Sequence, residues 1–346
     1  MLYLSLGVLL ACGLLILSSI SMHLFWLQAA WIAAGIILAV VLRRLELKGF
    51  LRAEWFAWTV YSLSVLLLIA AYLSGTIVRN TKSWLVLGPV QFQPVELAKI
   101  ALILVFSAYF SRRHISIARF KHILLSFLVF AVPAGITFLA PDLGQAAILF
   151  GIWFGYLLVS GLPRRFVLGF FAVFAITAFL GWSYLLKDYQ RARITGFIYP
   201  EKNVLGINYQ VTQSKIAIGS AGFWGKGYGQ GSQVQLGFLT EPATDFVFAS
   251  FIEEWGLFAG MLIVAAFIAF ILSILRLSSV AKSNVEKLIA LGAAMVFGLQ
   301  FFMNTGSVVG LFPVVGLTFP FVSYGGSSMF VNFFLFSIVN TIYAES

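Results

Sequence analysis

Two carboxylates at the edges of long apolar runs are the residues of this sequence best suited to chemistry. Asp245 ends the polar stretch 187–244 and immediately precedes an apolar run, and Glu96 follows Pro94 at the start of another. An ionisable side chain at such a place is costly to bury and is therefore a candidate for function. A carboxylate there could accept a proton as a general base, or it could bind a divalent cation.

Each candidate also has a purely structural interpretation. Asp245 could stabilise the positive end of a helix that starts behind Thr244, a plausible N-cap. Glu96 and Lys99 are three residues apart and could form an ion pair within one helix. Asp142, in the sequence Pro-Asp-Leu-Gly, could simply form a turn. The residues alone leave both kinds of interpretation open.

Glu253 and Glu254 form a second acidic position. If the helix after Asp245 is continuous, they lie about 12 Å further along it. Adjacent helical residues point about 100° apart, so these two carboxylates cannot form one catalytic pair. Structural partners for them are as plausible as catalysis, and so is a polar path through the membrane.

The polar stretch 187–244 supplies cations for an anionic substrate. Arg191 and Arg193 stand next to a predicted membrane span, where a lipid-linked phosphate would lie. Positive charge there could stabilise a departing phosphate. The only cysteine, Cys12, lies in an apolar run, and the sequence has no Walker, HExxH or serine-elbow motif. Transfer chemistry on a lipid-linked anionic substrate fits this pattern, and so does ion-coupled transport.

Membrane-spanning helices are the elements that must position these residues. The chain is 61% hydrophobic and 10% charged, with a mean hydropathy of +1.00, which excludes a water-soluble globular protein. A spanning helix needs roughly 20 apolar residues. We predict an all-α integral membrane protein, a single polytopic domain of residues 1–346. Its ten spans are expected at approximately 2–20, 24–42, 55–74, 94–110, 123–139, 145–160, 166–186, 245–274, 287–303 and 327–343.

Loop charges predict the orientation of these spans. Basic residues concentrate in alternate short loops, which places the N- and C-termini in the cytoplasm. The cytoplasmic loops then hold Arg43, Arg44, Lys48, Arg52, Arg112, Arg113, Arg119, Lys121, Arg164, Arg165, Arg276 and Lys282. The stretch 187–244, between spans seven and eight, and the Gly/Pro-rich stretch 304–326 fall outside. The net charge of +10 suggests contact with anionic membrane lipids or phosphorylated substrates. Because the charges sit in short loops between lipid-facing helices, nucleic-acid binding is a poor interpretation.

Six sequence blocks, in order along nearly the whole chain, resemble one known family. They are QPVELAK (93–99), PDLG (141–144), YQRARITGFIYPE (189–201), YQVTQSKIAIGSAGFWGKGYGQGSQVQLGFL (209–239), TDFVFASFIEEWG (244–256) and GLTFPFVSYGGSS (316–328). The sequence is similar in these blocks to the SEDS family (shape, elongation, division and sporulation), which contains the RodA and FtsW proteins.

The resemblance implies a ten-span peptidoglycan glycosyltransferase in the bacterial cytoplasmic membrane, with its active site facing outside. Such proteins polymerise lipid II, the undecaprenyl-pyrophosphate-linked disaccharide–pentapeptide, for cell elongation and shape or for division. They work with a class B penicillin-binding protein that cross-links the strands. No organic cofactor is expected, whereas Mg²⁺ or Mn²⁺ could be held by Asp245 or Glu96 together with phosphate oxygens.

The resemblance also assigns residues. Asp245 matches the essential aspartate of the family's T-D-F-[IV]-F motif, and Glu96 matches the glutamate of its Q-P-S-E motif. We therefore predict both as catalytic, with Asp245 as the general base. The residues predicted to bind the substrate are Lys99, Asp142, Arg191, Arg193, Gln213, Ser214, Lys215, Ser323 and Tyr324.

The sequence departs from the family pattern in three places. Val95 stands where the family usually has serine, and Ser83 stands where an arginine often precedes Trp84. The segment 240–245 keeps the family's glutamate but moves its proline, which puts the local shape of the loop in doubt. The segment SQVQLGFL resembles the RodA branch, whereas GLTFPFVSYGG also occurs readily in the FtsW branch. The RodA branch is therefore slightly favoured.

Two rival functions remain open from the sequence. A lipid II flippase would use the same charges as a path for the headgroup and would make no bond. A scaffold would act only by recruiting the penicillin-binding protein. The concentration of unusual residues on the outside face favours the polymerase, while Glu253 and Glu254 are the feature that supports the flippase.

Overall fold

The computed structural model describes the chain apart from several short segments. Those outside the description are residues 46–47, 79–80, 89, 113–119, 171, 173–178, 180–181, 183–185, 187, 200–207, 315 and 344–346. The structure describes all the other residues of the chain.

Helices make up nearly all of the described chain. They are α1 (Leu2–Ile20), α2 (Met22–Arg44), α3 (Lys48–Arg52), α4 (Glu54–Ser74), α5 (Pro94–Ser111), α6 (Phe120–Leu139), α7 (Leu143–Val159), α8 (Asp188–Ile198), α9 (Tyr209–Ser220), α10 (Ser232–Gln235), α11 (Val247–Val280), α12 (Asn284–Val309) and α13 (Gly326–Tyr343). Residues 164–170 are also helical. Eight helices are long and apolar enough to cross a membrane: α1, α2, α4, α5, α6, α11, α12 and α13. The prediction of a helical, multi-pass membrane protein is confirmed.

Nine of the ten predicted spans coincide with a helix of the structure. The sixth is α7, which is apolar but has only 17 residues. The seventh, 166–186, falls mostly on residues outside the description. The total of ten spans, the cytoplasmic termini and the single domain with its inserted loop 187–244 stay predictions.

A small antiparallel sheet joins α4 to α5, between the third and fourth predicted spans. Its strands are β1 (Thr76–Val78), β2 (Thr81–Leu87) and β3 (Val90–Phe92), in the order β1-β2-β3. Branched and aromatic residues such as those of β2 favour strands. Gly88 follows β2 with φ +63°, a conformation that glycine adopts without strain. The Nζ of Lys82 donates to the carbonyl of Leu73 at 2.8 Å, which ties the sheet to the end of α4.

The predicted eighth span is not one continuous helix. Gly256, with φ 84° and ψ 172°, breaks α11 into the segments 247–255 and 257–280. A Cβ at this position would lie 2.3 Å from the carbonyl oxygen of Phe223, so the break requires glycine. The apolar pattern continues across the break, which is why the sequence indicated a single helix from 245 to 274.

The backbone of residues 222–227 fills this break. The N–H groups of Leu257 and Phe258, which begin the second segment, donate to carbonyls of residues 222 and 223 at 3.1 and 3.2 Å. The carbonyls of Glu253 and Glu254, which end the first segment, accept from the N–H groups of residues 226 and 227 at 2.9 and 3.0 Å. Backbone groups freed by a broken helix need partners when water is excluded. The loop supplies them.

Close helix packing surrounds α5, which is buried along nearly its whole length and contacts α4, α7 and α12. On another side of the bundle, α2 packs on α13 through small residues. A Cβ at Gly35 would lie 2.3 Å from the ring of Phe333, and one at Gly326 would lie 2.5 Å from Trp31. Glycines at such contacts let two membrane helices approach closely.

We predict that Gly35→Ala lowers the thermal unfolding temperature of the protein in detergent. The added methyl must displace the Phe333 ring, and overpacking of this kind costs about 1–3 kcal/mol. Gly7→Ala on α1 is the matched control, since nothing lies within 4 Å of the added Cβ. Equal unfolding temperatures for the two variants would contradict the close α2–α13 contact.

Candidate active site

Asp245 lies in a turn, residues 242–246, and not in the first turn of the helix. Helix α11 begins at Val247, and its N-cap is Phe246, which makes no side-chain capping bond. The prediction of Thr244 as the N-cap is therefore wrong. The hydroxyl of Thr244 instead donates to the carboxylate of Glu241 at 3.0 Å. The N–H of Phe246 donates to the Glu241 carbonyl at 3.2 Å. The turn closes on itself before the helix starts.

Two donors from residues 323–324 hold the carbonyls that precede Asp245. The N–H of Tyr324 donates to the carbonyl of Ala243 at 2.8 Å. The hydroxyl of Ser323 donates to the carbonyl of Thr244 at 2.6 Å. These bonds fix two successive peptide planes of the turn.

Asn304, on α12, holds the carbonyl of Asp245 itself. Its side-chain nitrogen donates to that oxygen at 2.9 Å and to the carbonyl of Leu317 at 2.7 Å. The side chain is 1% exposed, so both bonds are made away from water. Gly316 lies beside the carboxylate, since a Cβ there would be 3.7 Å from Oδ2 of Asp245. The backbone of the candidate base is thus held by an amide that the sequence analysis did not single out.

Ser323 and Tyr324 were predicted to bind the substrate, and the structure shows what they bind within the protein. The Ser323 hydroxyl also accepts from the N–H of Phe319 at 2.9 Å, and its carbonyl accepts from the amide of Gln28, on α2, at 3.1 Å. Ser323 is 4% exposed and supports the turn of Asp245. The Tyr324 side chain is partly exposed next to that turn, and partial burial raises the pKa of its phenol.

Glu96 and Lys99 form the ion pair that their spacing suggested. Lys99 Nζ lies 2.7 Å from Glu96 Oε2, and both side chains are 2% exposed. The other carboxylate oxygen of Glu96 accepts from the amide of Gln145, on α7, at 3.0 Å. Both oxygens of Glu96 therefore have partners inside the bundle.

Asp142 joins the same buried cluster from the start of α7. It is the N-cap of that helix and accepts from the N–H of Gln145 at 3.2 Å. It also accepts from the amide of Gln93 at 3.0 Å. Burial and, to a smaller extent, the nearby Glu96 raise the pKa of this carboxyl to about 6, against the lowering effect of the Gln145 N–H. The structure thus brings together three predicted residues, Glu96, Lys99 and Asp142.

Two amides that the sequence analysis did not single out complete this cluster. Gln93 lies three residues before Glu96, and Gln145 lies three residues after Asp142. Each amide therefore stands one turn from a carboxylate, a spacing typical of polar pairs in helices. That spacing is a weak signal, but it could have indicated Gln93 and Gln145 as partners of the carboxylates.

Glu96 and Asp245, the two predicted ligands of a divalent cation, differ in how well their surroundings suit a metal ion. Glu96 is a poor metal ligand here because an ammonium lies 2.7 Å from one of its oxygens and would repel a second cation. Among the described residues, no three His, Cys, Asp or Glu side chains group closely enough to hold a metal ion. For Asp245, acting with phosphate oxygens of a substrate, cation binding stays a prediction.

The predicted substrate-binding residues of α9 lie over the end of α12. Ser214 is fully buried and donates to the carbonyl of Val308 at 2.7 Å. Lys215 is exposed and runs across Gly310, where a Cβ would be 2.5 Å from its Nζ. Gln213 is half-buried. Of these three side chains, Lys215 is the one presented to solvent beside the helix that carries Asn304.

Arg191 and Arg193, on α8, were also predicted to bind the substrate. Arg191 is half-buried, whereas the side chain of Arg193 lies outside the described part of the structure. The structure therefore neither supports nor opposes a role for Arg193 in substrate binding.

Glu253 binds the loop next to it, and Glu254 binds the end of α1. Glu253 is fully buried and accepts from Lys226 Nζ at 2.7 Å, and the N–H groups of Gln233 and Val234 donate to it at 3.0 and 3.3 Å. Glu254 accepts from the hydroxyl of Ser19, at the end of α1, at 2.5 Å. Both carboxylates precede the break at Gly256 and are not part of the long span. Their partners are structural.

We predict that wild-type protein loses stability as pH rises from about 4 to about 6, relative to Asp142→Asn. A carboxyl whose pKa is raised on folding binds its proton more tightly in the folded state, so the unfolding free energy falls as pH rises through this window. A shift to about 6 corresponds to at most about 3 kcal/mol. Thermal unfolding in detergent between pH 4 and 7.5 measures the effect.

Glu54→Gln, which removes an exposed carboxylate, controls for the loss of one charge. This variant should follow the wild-type pH profile. Parallel profiles for wild type and Asp142→Asn would show that Asp142 is not titrating in this range.

We predict that Asn304→Ala speeds amide hydrogen exchange in residues 241–250. The substitution leaves two buried carbonyls without their donor, and each such loss costs about 1–3 kcal/mol. Gln300→Ala is the matched control, because Gln300 is an equally buried amide one turn earlier on α12. If both variants speed exchange in this segment equally, the bonds from Asn304 do not hold the turn.

Comparison with known proteins places this geometry in a family. The family model FtsW/RodA/SpoVE, described as "Cell cycle protein", matches residues 1–346. MrdB of Escherichia coli strain K12, named a peptidoglycan glycosyltransferase, is 36% identical over 316 residues, which is 91% of this chain and 84% of MrdB. FtsW of Haemophilus influenzae, named a probable peptidoglycan glycosyltransferase, is 36% identical over 287 residues, 81% of this chain and 72% of that protein.

A solved structure shares the fold over almost the whole chain. It is described as "Structural coordination of polymerization and crosslinking by a peptidoglycan synthase complex". The similarity has a TM-score of 0.86 at 30% identity and covers 99% of this chain and 97% of the other. With the family model matched from end to end, the chain belongs to the FtsW/RodA/SpoVE family, the SEDS family that its sequence blocks predicted.

Proposed function

We propose that this protein is a peptidoglycan glycosyltransferase that polymerises lipid II into glycan strands. The observation that carries the proposal is the turn of Asp245, whose backbone is held at three successive carbonyls by Tyr324, Ser323 and Asn304. The names of the two relatives support the same activity. A base must be held within reach of its proton, and a rigid backbone provides this.

In the reaction, the 4-hydroxyl oxygen of an acceptor GlcNAc forms a bond to the anomeric carbon of a donor MurNAc. The bond from that carbon to the pyrophosphate oxygen breaks, and its electron pair leaves with undecaprenyl pyrophosphate. The carboxylate of Asp245 takes the hydroxyl proton. Asp245 is 9% exposed, so the residue is largely shielded from solvent without being fully enclosed.

Lys215 is the cation best placed to stabilise the departing pyrophosphate. It is exposed on α9 and crosses Gly310, at the end of the helix on which Asn304 holds the Asp245 turn. Fixed positive charge near a leaving group lowers the barrier when negative charge develops there. Lys99 is less suitable, because it is 1% exposed and paired with Glu96. Arg191 and Arg193 remain further candidates.

Glu96 acts in this proposal as a positioning residue. Its bond from Gln145 connects α5 to α7 inside the bundle, and its ion pair with Lys99 lies within α5. Buried ion pairs are strongly destabilising when one partner is removed. Loss of activity on substitution of Glu96 would therefore follow from loss of helix packing.

A divalent cation is a further part of the proposal. Mg²⁺ or Mn²⁺, held by Asp245 and the pyrophosphate, would neutralise part of the leaving group's charge. No organic cofactor is proposed.

We further propose that the protein works in the bacterial cytoplasmic membrane with a class B penicillin-binding protein, and that Asp245 faces outside. The solved relative comes from a complex that couples polymerisation to crosslinking, which supports such a partner. The loop charges support the orientation. MrdB, the RodA of its organism, matches 91% of the chain, whereas the FtsW of Haemophilus influenzae matches 81% at the same 36% identity, which favours the elongation branch.

The flippase alternative loses its supporting observation. It depended on Glu253 and Glu254 as polar groups along a path through the membrane. Glu253 instead binds Lys226 and the start of α10, and Glu254 binds Ser19. Both carboxylates are buried inside the protein, at 0% and 1% exposed, and so do not line an open path for a headgroup.

We predict that Asp245→Asn and Asp245→Ala lower polymer formation from lipid II by at least about 100-fold, the usual contribution of a general base. The assay uses purified protein with a class B penicillin-binding protein, and thermal unfolding verifies the fold. Glu241→Gln is the matched control in the same turn, because Gln can still accept from the Thr244 hydroxyl. This control should stay within about tenfold of wild type.

Wild-type rates from a folded Asp245→Asn variant would rule out the proposed base. Titration of chelator-treated wild-type protein with Mg²⁺ and Mn²⁺ tests the proposed cation. Activity that returns only with added metal supports the cation, and full activity without metal contradicts it.

A further inference from the structure

Three exposed aromatic rings form a cluster beside the helix break at Gly256. We call Phe223, Trp224 and Phe258 the aromatic cluster. Its ring centroids are 5.0 to 5.7 Å apart. Trp224 is 75% exposed, and the two phenylalanines are 49% and 41% exposed. Large aromatic side chains presented together mark a surface that binds something apolar.

The aromatic cluster is continuous with the lipid-facing surface of a membrane span. Phe258 belongs to the segment 257–280, the long part of α11 after the break. About one turn further along this segment, Met261 and Leu262 are 55% and 53% exposed. Apolar residues that are exposed on a spanning helix face lipid. The cluster extends this face onto the loop that carries Phe223 and Trp224.

Contacts with α1 give the depth of the loop. Helix α1 has 19 residues and is therefore about 28 Å long, close to the thickness of the hydrocarbon core. Ser18 lies in the last turn of α1, and its hydroxyl is 3.0 Å from the hydroxyl of Tyr228 in the loop. The amide of Gln235 donates to the carbonyl and to the hydroxyl of Ser19 at 3.3 and 3.2 Å. The loop thus lies level with the end of a span, where the acyl chains meet the headgroups.

We propose that residues 222–228 dock on the membrane, with Trp224 and Phe223 inserted at the boundary between headgroups and acyl chains. Tryptophan is enriched at this depth because its ring is apolar and its N–H needs a polar partner. Burial of the exposed rings in lipid is also favourable by the hydrophobic effect. The occupant of this surface is the bilayer itself.

The docked loop sets the depth of the segment that follows Asp245. Residues 222–227 bond to the backbone on both sides of Gly256, and Lys226 pairs with the buried carboxylate of Glu253. The segment 247–255 therefore moves with the loop. A loop held at the lipid boundary holds Asp245 at a constant distance from the membrane. This inference depends on the membrane fold and not on the proposed reaction.

Tryptophan quenching in lipid nanodiscs tests the proposal. The discs contain phosphatidylcholine brominated either near the headgroup end or near the methyl end of the acyl chain, and iodide is added separately to the buffer. The chain has nine tryptophans. Trp224→Phe should lower the amplitude quenched by the shallow bromine by roughly one tryptophan's share, and should leave the amplitude quenched by iodide unchanged.

Trp153→Phe is the matched control. Trp153 is 2% exposed, and its N–H donates to Ser126 inside the bundle, so its removal should change neither amplitude. If Trp224→Phe instead lowers the iodide-quenched amplitude, the loop faces water and the proposal is wrong. If iodide reaches Trp224 in the protein alone and is excluded only after a class B penicillin-binding protein is added, the cluster is a protein-docking surface, which also overturns the proposal.

Discussion

The hydrogen bonds to the carbonyls of residues 243–245 are the constraint on which the candidate site depends. A carbonyl that is buried without a donor costs free energy comparable to a lost hydrogen bond. Here the donors come from Asn304 on α12 and from residues 323 and 324, which precede α13. The irregular segment between those helices therefore has a clear physical role. It holds the aspartate at the start of α11.

The same need to pair backbone groups explains the break in α11. A helix that stops at Gly256 leaves carbonyls on one side and N–H groups on the other, and the loop at 222–227 satisfies both. Lys226 and Glu253 then fix the loop by charge. The polar stretch before Asp245 is thus attached at both ends of the segment 247–255, by the Asp245 turn and by the break. In this arrangement the loop at 222–227 and the segment that follows Asp245 are held together by backbone hydrogen bonds and one ion pair.

Some of the site was predictable from local spacing. Glu96 and Lys99, one helical turn apart, pair as their spacing indicated. Asp142 forms a cap and a turn while also entering the buried cluster. The N-cap assigned to Thr244 was wrong, because the Thr244 hydroxyl binds the Glu241 carboxylate in the preceding turn and the helix begins only at Val247. Asn304 and Gln28 were missed because a single amide in an apolar helix produces no periodic pattern.

Sequence by itself determined the membrane class, nine helices and the family, since apolar periodicity and ordered sequence blocks are properties of contiguous residues. It also singled out Asp245. Tertiary structure alone decided that Glu96 also accepts from Gln145 and that Glu253 pairs with Lys226. It also decided where α11 breaks and what holds the Asp245 turn. The physical reason is that these hydrogen bonds and ion pairs form only when the folded chain brings their donors and acceptors together, most of them from residues distant in the sequence.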